Sequence, residues 1–170
     1  MARAAFEPEL LEEAVLGRIT DQEWRERIVT RLAEICGGET AVAAVAAWSA
    51  PTGVVDRAVL DLVRDVRRRA RVCLVTNATT RLDADLERLG IAAEFDAIVN
   101  SSRIGARKPD ARIFAAALSA AGAPAAHALF VDDTPGLVGA AQALGLRGHV
   151  YTGVVALRAA LRAAGLHPGG

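Results

Sequence analysis

The chain of 170 residues is short of cysteine, of net charge, of long apolar runs and of lysine. Its two cysteines, Cys36 and Cys73, lie far apart, the second inside an apolar segment. That excludes a disulfide-stapled secreted scaffold and predicts reduced, packed thiols in a cytoplasmic protein. Twenty basic residues offset twenty acidic ones. A formal charge of zero leaves no electrostatic case for nucleic acid or for an anionic membrane. The longest uninterrupted apolar run, Ala41 to Trp48, is too short to span a bilayer, and the stretch from Met1 to Glu7 lacks the apolar core of a signal peptide. Lysine is the sharpest shortage. Lys108 stands alone among nineteen arginines. A chain that uses arginine wherever a cation serves has kept one compact ammonium, and the two side chains differ near phosphate and in hydrogen-bond relays.

What is present suits one compact unit with a small appended lobe: 52% hydrophobic residues against 24% charged ones. Residues 7–50 read as helical. Pro8 fits a first turn ahead of Leu10, Leu11, Ala14 and Val15, and Gly17 follows the end. Thr20 to Glu23 forms a capping box, after which Trp24, Ile28, Leu32 and Ile35 make one apolar stripe. Gly37-Gly38 breaks that helix and Ala41 to Trp48 supplies a third. Trp24 and Trp48 read as packing residues, and nothing in this lobe groups into a metal or nucleophile constellation.

Near Pro51 the period changes. Helical and strand patterns then alternate to the end of the chain, which implies a parallel sheet with right-handed crossovers. Boundaries at 1–51 for a helical lobe and 52–170 for a Rossmann-like α/β core follow from that switch. The predicted strands are Arg71 to Asn77, Ala97 to Asn100, Ala128 to Val131 and Gly148 to Tyr151. The third is expected to be buried on both faces. Thr80 to Asp83 is expected to cap the helix through Leu86 and Leu89, and Asp110 the one through Ile113 and Phe114. Arg67 to Arg69 closes a helix whose dipole they favour.

Chemistry gathers at strand ends. Asp132-Asp133 follows the third strand, Thr76-Asn77 the first, and Lys108 sits in the loop beyond the second. Parallel topology carries all of them to one edge of the sheet, where open α/β sheets bind ligands. Adjacent carboxylates repel unless a cation meets them, and Mg²⁺ is the usual hard divalent partner. A hydroxyl, an ammonium and a metal-binding acid pair together make a cradle for a phosphoryl group. An Asp-Asp pair capping a turn is the plain structural alternative.

The residues Leu74 to Ala78, Gly105 to Asp110 and Leu129 to Pro135, in that order, resemble the second, third and fourth motifs of the haloacid dehalogenase-like (HAD) hydrolases, in the branch with a helical cap. Residues 1–51 resemble that cap. The resemblance implies that Thr76 and Lys108 hold the phosphoryl group of a small phosphorylated substrate, with Asn77 beside them. It further implies that Asp133 ligates Mg²⁺ with Asp132 supporting it.

Two departures accompany the resemblance. Leu137 stands where many relatives have Asn or Asp, which removes one polar support of the metal site. The family's first motif, an apolar strand followed by Asp-x-Asp that carries the nucleophile, has no counterpart here. Asp83-Ala-Asp85 follows no strand and reads as a solvated helix face. Two readings result: a hydrolase cut short before its nucleophile strand and inactive as given, or a non-catalytic phosphate- or partner-binding relative. A response-regulator receiver is excluded by order, because receivers present the acid pair before the Thr and Lys.

Overall fold

The computed structural model describes residues 7–166. Three helices come first: α1 (Pro8–Val15), α2 (Asp21–Cys36) and α3 (Gly38–Ser49). They enclose a core of their own from Leu10, Ala14, Ile19, Trp24, Ile28, Leu32, Ala41 and Val45. Trp24 and Trp48 meet edge to face with ring centroids 5.6 Å apart, a geometry the ring quadrupoles favour. The capping box forms as the sequence predicts: Thr20 accepts from the Glu23 amide while Glu23 returns to the Thr20 amide. Thr20→Ala is therefore expected to cost about 1 kcal/mol in urea denaturation. An unchanged midpoint would mean that the box contributes nothing. Ile35 departs from expectation. It is 81% exposed, because the stripe leaves the lobe core one turn before α2 ends.

The α/β part runs α4 (Arg57–Arg67), β1 (Cys73–Thr76), α5 (Leu82–Leu89), β2 (Ala97–Asn100), α6 (Ser101–Ile104), α7 (Ala111–Ala121), β3 (Leu129–Asp132), α8 (Pro135–Ala143), β4 (Arg147–Val150) and α9 (Val154–Ala163). All pairing is parallel. β1 pairs with β2, setting Thr76 opposite Asn100, and β3 pairs with β4, setting Asp132 opposite Val150. No helix among the described residues is long and apolar enough to cross a membrane.

Strand alternation sorts the side chains into two layers. Val75, Val99, Phe130 and Val150 face α7 and α8, where Ile113, Phe114, Val138 and Ala141 are buried. Val72, Leu129, Val131 and Tyr151 face α4 and α9, where Leu62, Val66, Leu157 and Leu161 are buried. Phe114 of α7 and Phe130 of β3 pack edge to face at 5.2 Å. Gly148 permits α8 to lie close on β4, since a Cβ there would sit 2.6 Å from Val138.

The four strands do not make one sheet. Among the described residues they form two separate pairs, β1–β2 and β3–β4, with no ladder between them. Burial reflects the division. Every residue of β1 is only half-buried, whereas β2 ends in two buried residues. β3 is likewise half-buried except at Phe130, so the expectation of a strand covered on both faces fails along its free edge. A seam runs between the pairs.

Candidate functional site

The residues singled out in the sequence converge at the carboxyl ends of β1 and β3. Thr76 is the last residue of β1, and Asn77 opens the loop beyond it. The Asn77 amide clasps the main chain of Lys108 in both directions. Its Oδ1 accepts from the Lys108 N–H at 2.7 Å, and its Nδ2 donates to the Lys108 carbonyl at 3.0 Å. The side chain of Asn77 is thereby committed to placing Lys108. Lys108 then extends its Nζ to 2.6 Å from Oδ2 of Asp132, with both side chains 10% exposed. The same ammonium lies 5.6 Å from the centre of the Phe130 ring. One continuous chain of contacts, Asn77–Lys108–Asp132, thus spans the seam between the two strand pairs.

Asp132 is held on its other oxygen as well, where Oδ1 accepts from the Thr134 N–H at 2.9 Å. Burial pushes the Asp132 carboxyl up, but the hydrogen bonds from Lys108 and Thr134 and the ammonium charge outweigh it, leaving the group below its ordinary value. A lowered carboxylate contributes stability above its unfolded pKa and loses it as pH falls through the folded one. Replacing Lys108 by Met should strand a largely buried carboxylate at a cost of about 2–4 kcal/mol at pH 7. That cost should shrink near pH 4, where the carboxyl left without its cation is protonated while the parent's, held below its ordinary value, stays ionised. Urea denaturation at the two pH values is the check, and an equal loss at both would show that the ion pair is not its source.

Asp133 lies beside Asp132 but is exposed, its Oδ1 accepting from the Thr134 hydroxyl at 3.2 Å. Asp110 caps α7 as expected by accepting from the Arg112 N–H, and the Arg112 guanidinium draws its carboxyl down to about 2. Thr80 does not cap α5. Arg81 occupies that position without a side-chain cap, and the Thr80 hydroxyl instead accepts from the Asp21 N–H of the helical lobe. Asp83 pairs with Arg103 near the surface, whereas Asp85 pairs with Arg81 in a half-buried contact, so only the first sits on a solvated face.

Mg²⁺ asks for oxygen donors, commonly one or two carboxylates with the other positions filled by water and phosphate oxygens. Asp133 and Asp132 fit that chemistry, Asp133 the more freely because Lys108 and Thr134 engage both oxygens of Asp132. The fit is sparse. Among the described residues no three His, Cys, Asp or Glu side chains group as metal ligands, and Leu137 packs into the core beneath α8.

Sequence reasoning missed a second polar group next to the site. Asn100 and Ser101, at the end of β2, are 2% and 0% exposed. Asn100 donates to the Thr79 carbonyl, and Ser101 accepts from the Ala78 N–H. The carboxyl-end rule that located Thr76 and Asp132 would have located them too, had it been applied to β2.

Comparison with known proteins shows the family. Residues 3–145 match the family model described as haloacid dehalogenase-like hydrolase. A 77-residue stretch is 36% identical to pyrimidine 5′-nucleotidase YjjG of Escherichia coli, covering 44% of this chain and 34% of that protein. The chain thus matches about a third of the length of this curated relative. A predicted HAD-like hydrolase from Porphyromonas gingivalis has the same fold, with a TM-score of 0.71 at 21% identity over 93% of this chain and 82% of that one. An HAD family enzyme from Bacteroides thetaiotaomicron, in complex with magnesium and inorganic phosphate, gives 0.67 at 21% over 83% and 73%. The L-2-haloacid dehalogenase of Xanthobacter autotrophicus gives 0.63 at 19% over 98% and 69%. With the family model covering most of its length and the strand-end residues gathered at one edge, this chain belongs to the haloacid dehalogenase-like hydrolases.

Proposed function

We propose that the site is built for a small phosphorylated metabolite, in a hydrolase of phosphate monoesters that works in the cytoplasm. The observation that supports this most is the Asn77–Lys108–Asp132 chain, which fixes an ammonium at the edge where Thr76 ends β1 and Asp133 begins its loop. In this reading the Thr76 hydroxyl donates to a phosphate oxygen, and Lys108 neutralises part of the phosphate charge. Asn77 keeps Lys108 in place through its main chain. Asp133, with Asp132 in support, would hold Mg²⁺, which when bound supplies positive charge to another phosphate oxygen. Oxygen donors and a cation arranged this way select a dianionic head group and leave the rest of the metabolite to other surfaces. Nucleoside monophosphates are sensible first candidates, given the nucleotidase with which part of the chain is similar.

Breaking a P–O bond by the route the family resemblance implies needs a carboxylate nucleophile. The 170-residue sequence has no Asp-x-Asp that follows an apolar strand. The seam between β1 and β3 is where a strand bearing it would pair with both neighbours, and the chain as given should bind without turning over.

Mg²⁺ should bind weakly, because two carboxylates with one already engaged are a thin donor set. A thermal-shift titration with Mg²⁺ and inorganic phosphate should raise the Tm only at millimolar Mg²⁺, and Asp133→Asn should abolish that rise. A variant that responds as the parent does would remove Asp133 from the site.

A further inference from the structure

The loop from Asn77 to Arg81, which continues the cradle beyond Thr76, is tied at every residue, and the ties go in two directions. Toward the core, Asn77 holds Lys108, Ala78 donates its N–H to Ser101, and the Thr79 carbonyl accepts from Asn100. Toward the helical lobe, the Thr79 hydroxyl donates to Oδ1 of Asp21 at 2.8 Å, and the Thr80 hydroxyl accepts from the Asp21 N–H at 2.9 Å. Arg81 donates to the Ser49 carbonyl at the end of α3. Asp21 is only 6% exposed and is also paired with Arg25 at 2.8 Å.

Ser101 joins the two directions. Its hydroxyl is fully buried and accepts from the Ala78 N–H at 3.0 Å. Its one proton has the Ala78 carbonyl as the farther acceptor at 3.2 Å and, as the nearer at 2.7 Å, the Val15 carbonyl at the last turn of α1. Immediately beyond, Gly17 has φ +70° and lies so close to Ser102 that a Cβ would stand 2.0 Å from its carbonyl oxygen. The lobe and the strand end are therefore in backbone contact, with one hydroxyl spanning the lobe, the strand end and the loop.

We propose that Ser101 is a positioning residue that couples the seating of the helical lobe to the shape of the Thr76–Thr80 loop, with Asp21 as its counterpart on the lobe. The one hydroxyl proton of Ser101 serves Val15 in preference to Ala78. Unseating the lobe strips the Val15 carbonyl of its donor and turns the hydroxyl back onto the loop, and the lobe and the loop therefore change together. The functional meaning rests on the phosphoryl reading of Thr76, whereas the coupling itself does not. The joint transmits in both directions, since a coupling free energy is reciprocal. Whatever orders the loop seats the lobe, and whatever displaces the lobe loosens the loop.

The test uses the 170-residue chain and two readouts. Amide hydrogen exchange follows the loop amides of Ala78 to Arg81, with those of α8 as a reference. Acrylamide quenching of tryptophan emission follows the lobe, because both tryptophans lie there and Trp24 is buried one turn from Asp21. Ser101→Ala should raise loop exchange about ten-fold relative to α8 and raise quenching in the same variant. Thr79→Val, which removes the tie to Asp21 from the other side, should move both readouts in the same direction by a smaller factor. Inorganic phosphate with Mg²⁺ should reverse both changes in Ser101→Ala. Loop exchange that rises with quenching unchanged in both variants would overturn the coupling, as would a uniform rise across loop and α8 in Thr79→Val. Coupled changes that phosphate fails to reverse would keep the joint and overturn only the phosphoryl reading of the loop.

Discussion

A strand supplied to the seam between β1 and β3 is expected to stabilise this chain by about 3–6 kcal/mol. Among the described residues each of these strands pairs on one side only, so about half of the N–H and C=O groups of β1 and β3 face the gap without a ladder partner. An unsatisfied backbone group costs about 1–3 kcal/mol when dry, but the half-burial of both strands leaves water on these groups, so each ladder bond gained is worth only about 0.5 kcal/mol net. Apolar side chains on the new strand would add to the gain by covering Leu74, Val75, Leu129 and Val131, none of which is now fully buried. The sum is comparable with the whole stability of an ordinary domain, about 5–15 kcal/mol, so the chain without that strand should be marginal. The variant to make carries an apolar strand ending in Asp-x-Asp, joined ahead of Pro8 by a flexible linker. Urea denaturation should show a higher midpoint and a steeper transition, because more surface is buried. If the extended chain unfolds at the same urea concentration as the original, the seam is not a strand site.

The fold was legible because its signals are local. The capping box at Thr20 and the glycine pair after α2 each act over a few residues, and both appear where the sequence predicts them. The gathering of Asn77, Lys108 and Asp132 at one edge was legible for a related reason, since parallel topology fixes which strand ends meet. What could not be read was where hydroxyls and amides spend their hydrogen bonds across long separations. Thr80 looked like a cap for the helix that follows it, yet it serves Asp21, 59 residues away. Asn77 looked like a ligand group, and its amide is instead engaged with the backbone of Lys108. Ile35 continued an apolar stripe past the point where the lobe had anything left to pack on it. Periodicity records which face a residue takes, not how far the neighbouring surface extends.

The larger effect is on catalysis. Loss of a covalent nucleophile costs on the order of 10⁴–10⁶ in rate in a hydrolase where it has been dissected. Thr76, Lys108 and an acid-held Mg²⁺ would still bind and polarise a phosphate ester, but binding ground state and transition state alike does not speed the chemical step. Hydrolysis by the 170-residue chain should therefore be indistinguishable from buffer. The strand-extended form should turn over, should require Mg²⁺, and should lose activity when the first Asp of the added motif becomes Asn or when Lys108 becomes Ala.

The most direct measurement is the hydrolysis of a generic phosphate monoester by the purified 170-residue chain with millimolar Mg²⁺, run beside its Lys108→Ala variant. The expected result is no release of phosphate above background from either protein. Sustained Mg²⁺-dependent release by the chain as given, abolished in Lys108→Ala, would contradict it, because the cradle would then be catalysing without the carboxylate that the seam is held to await.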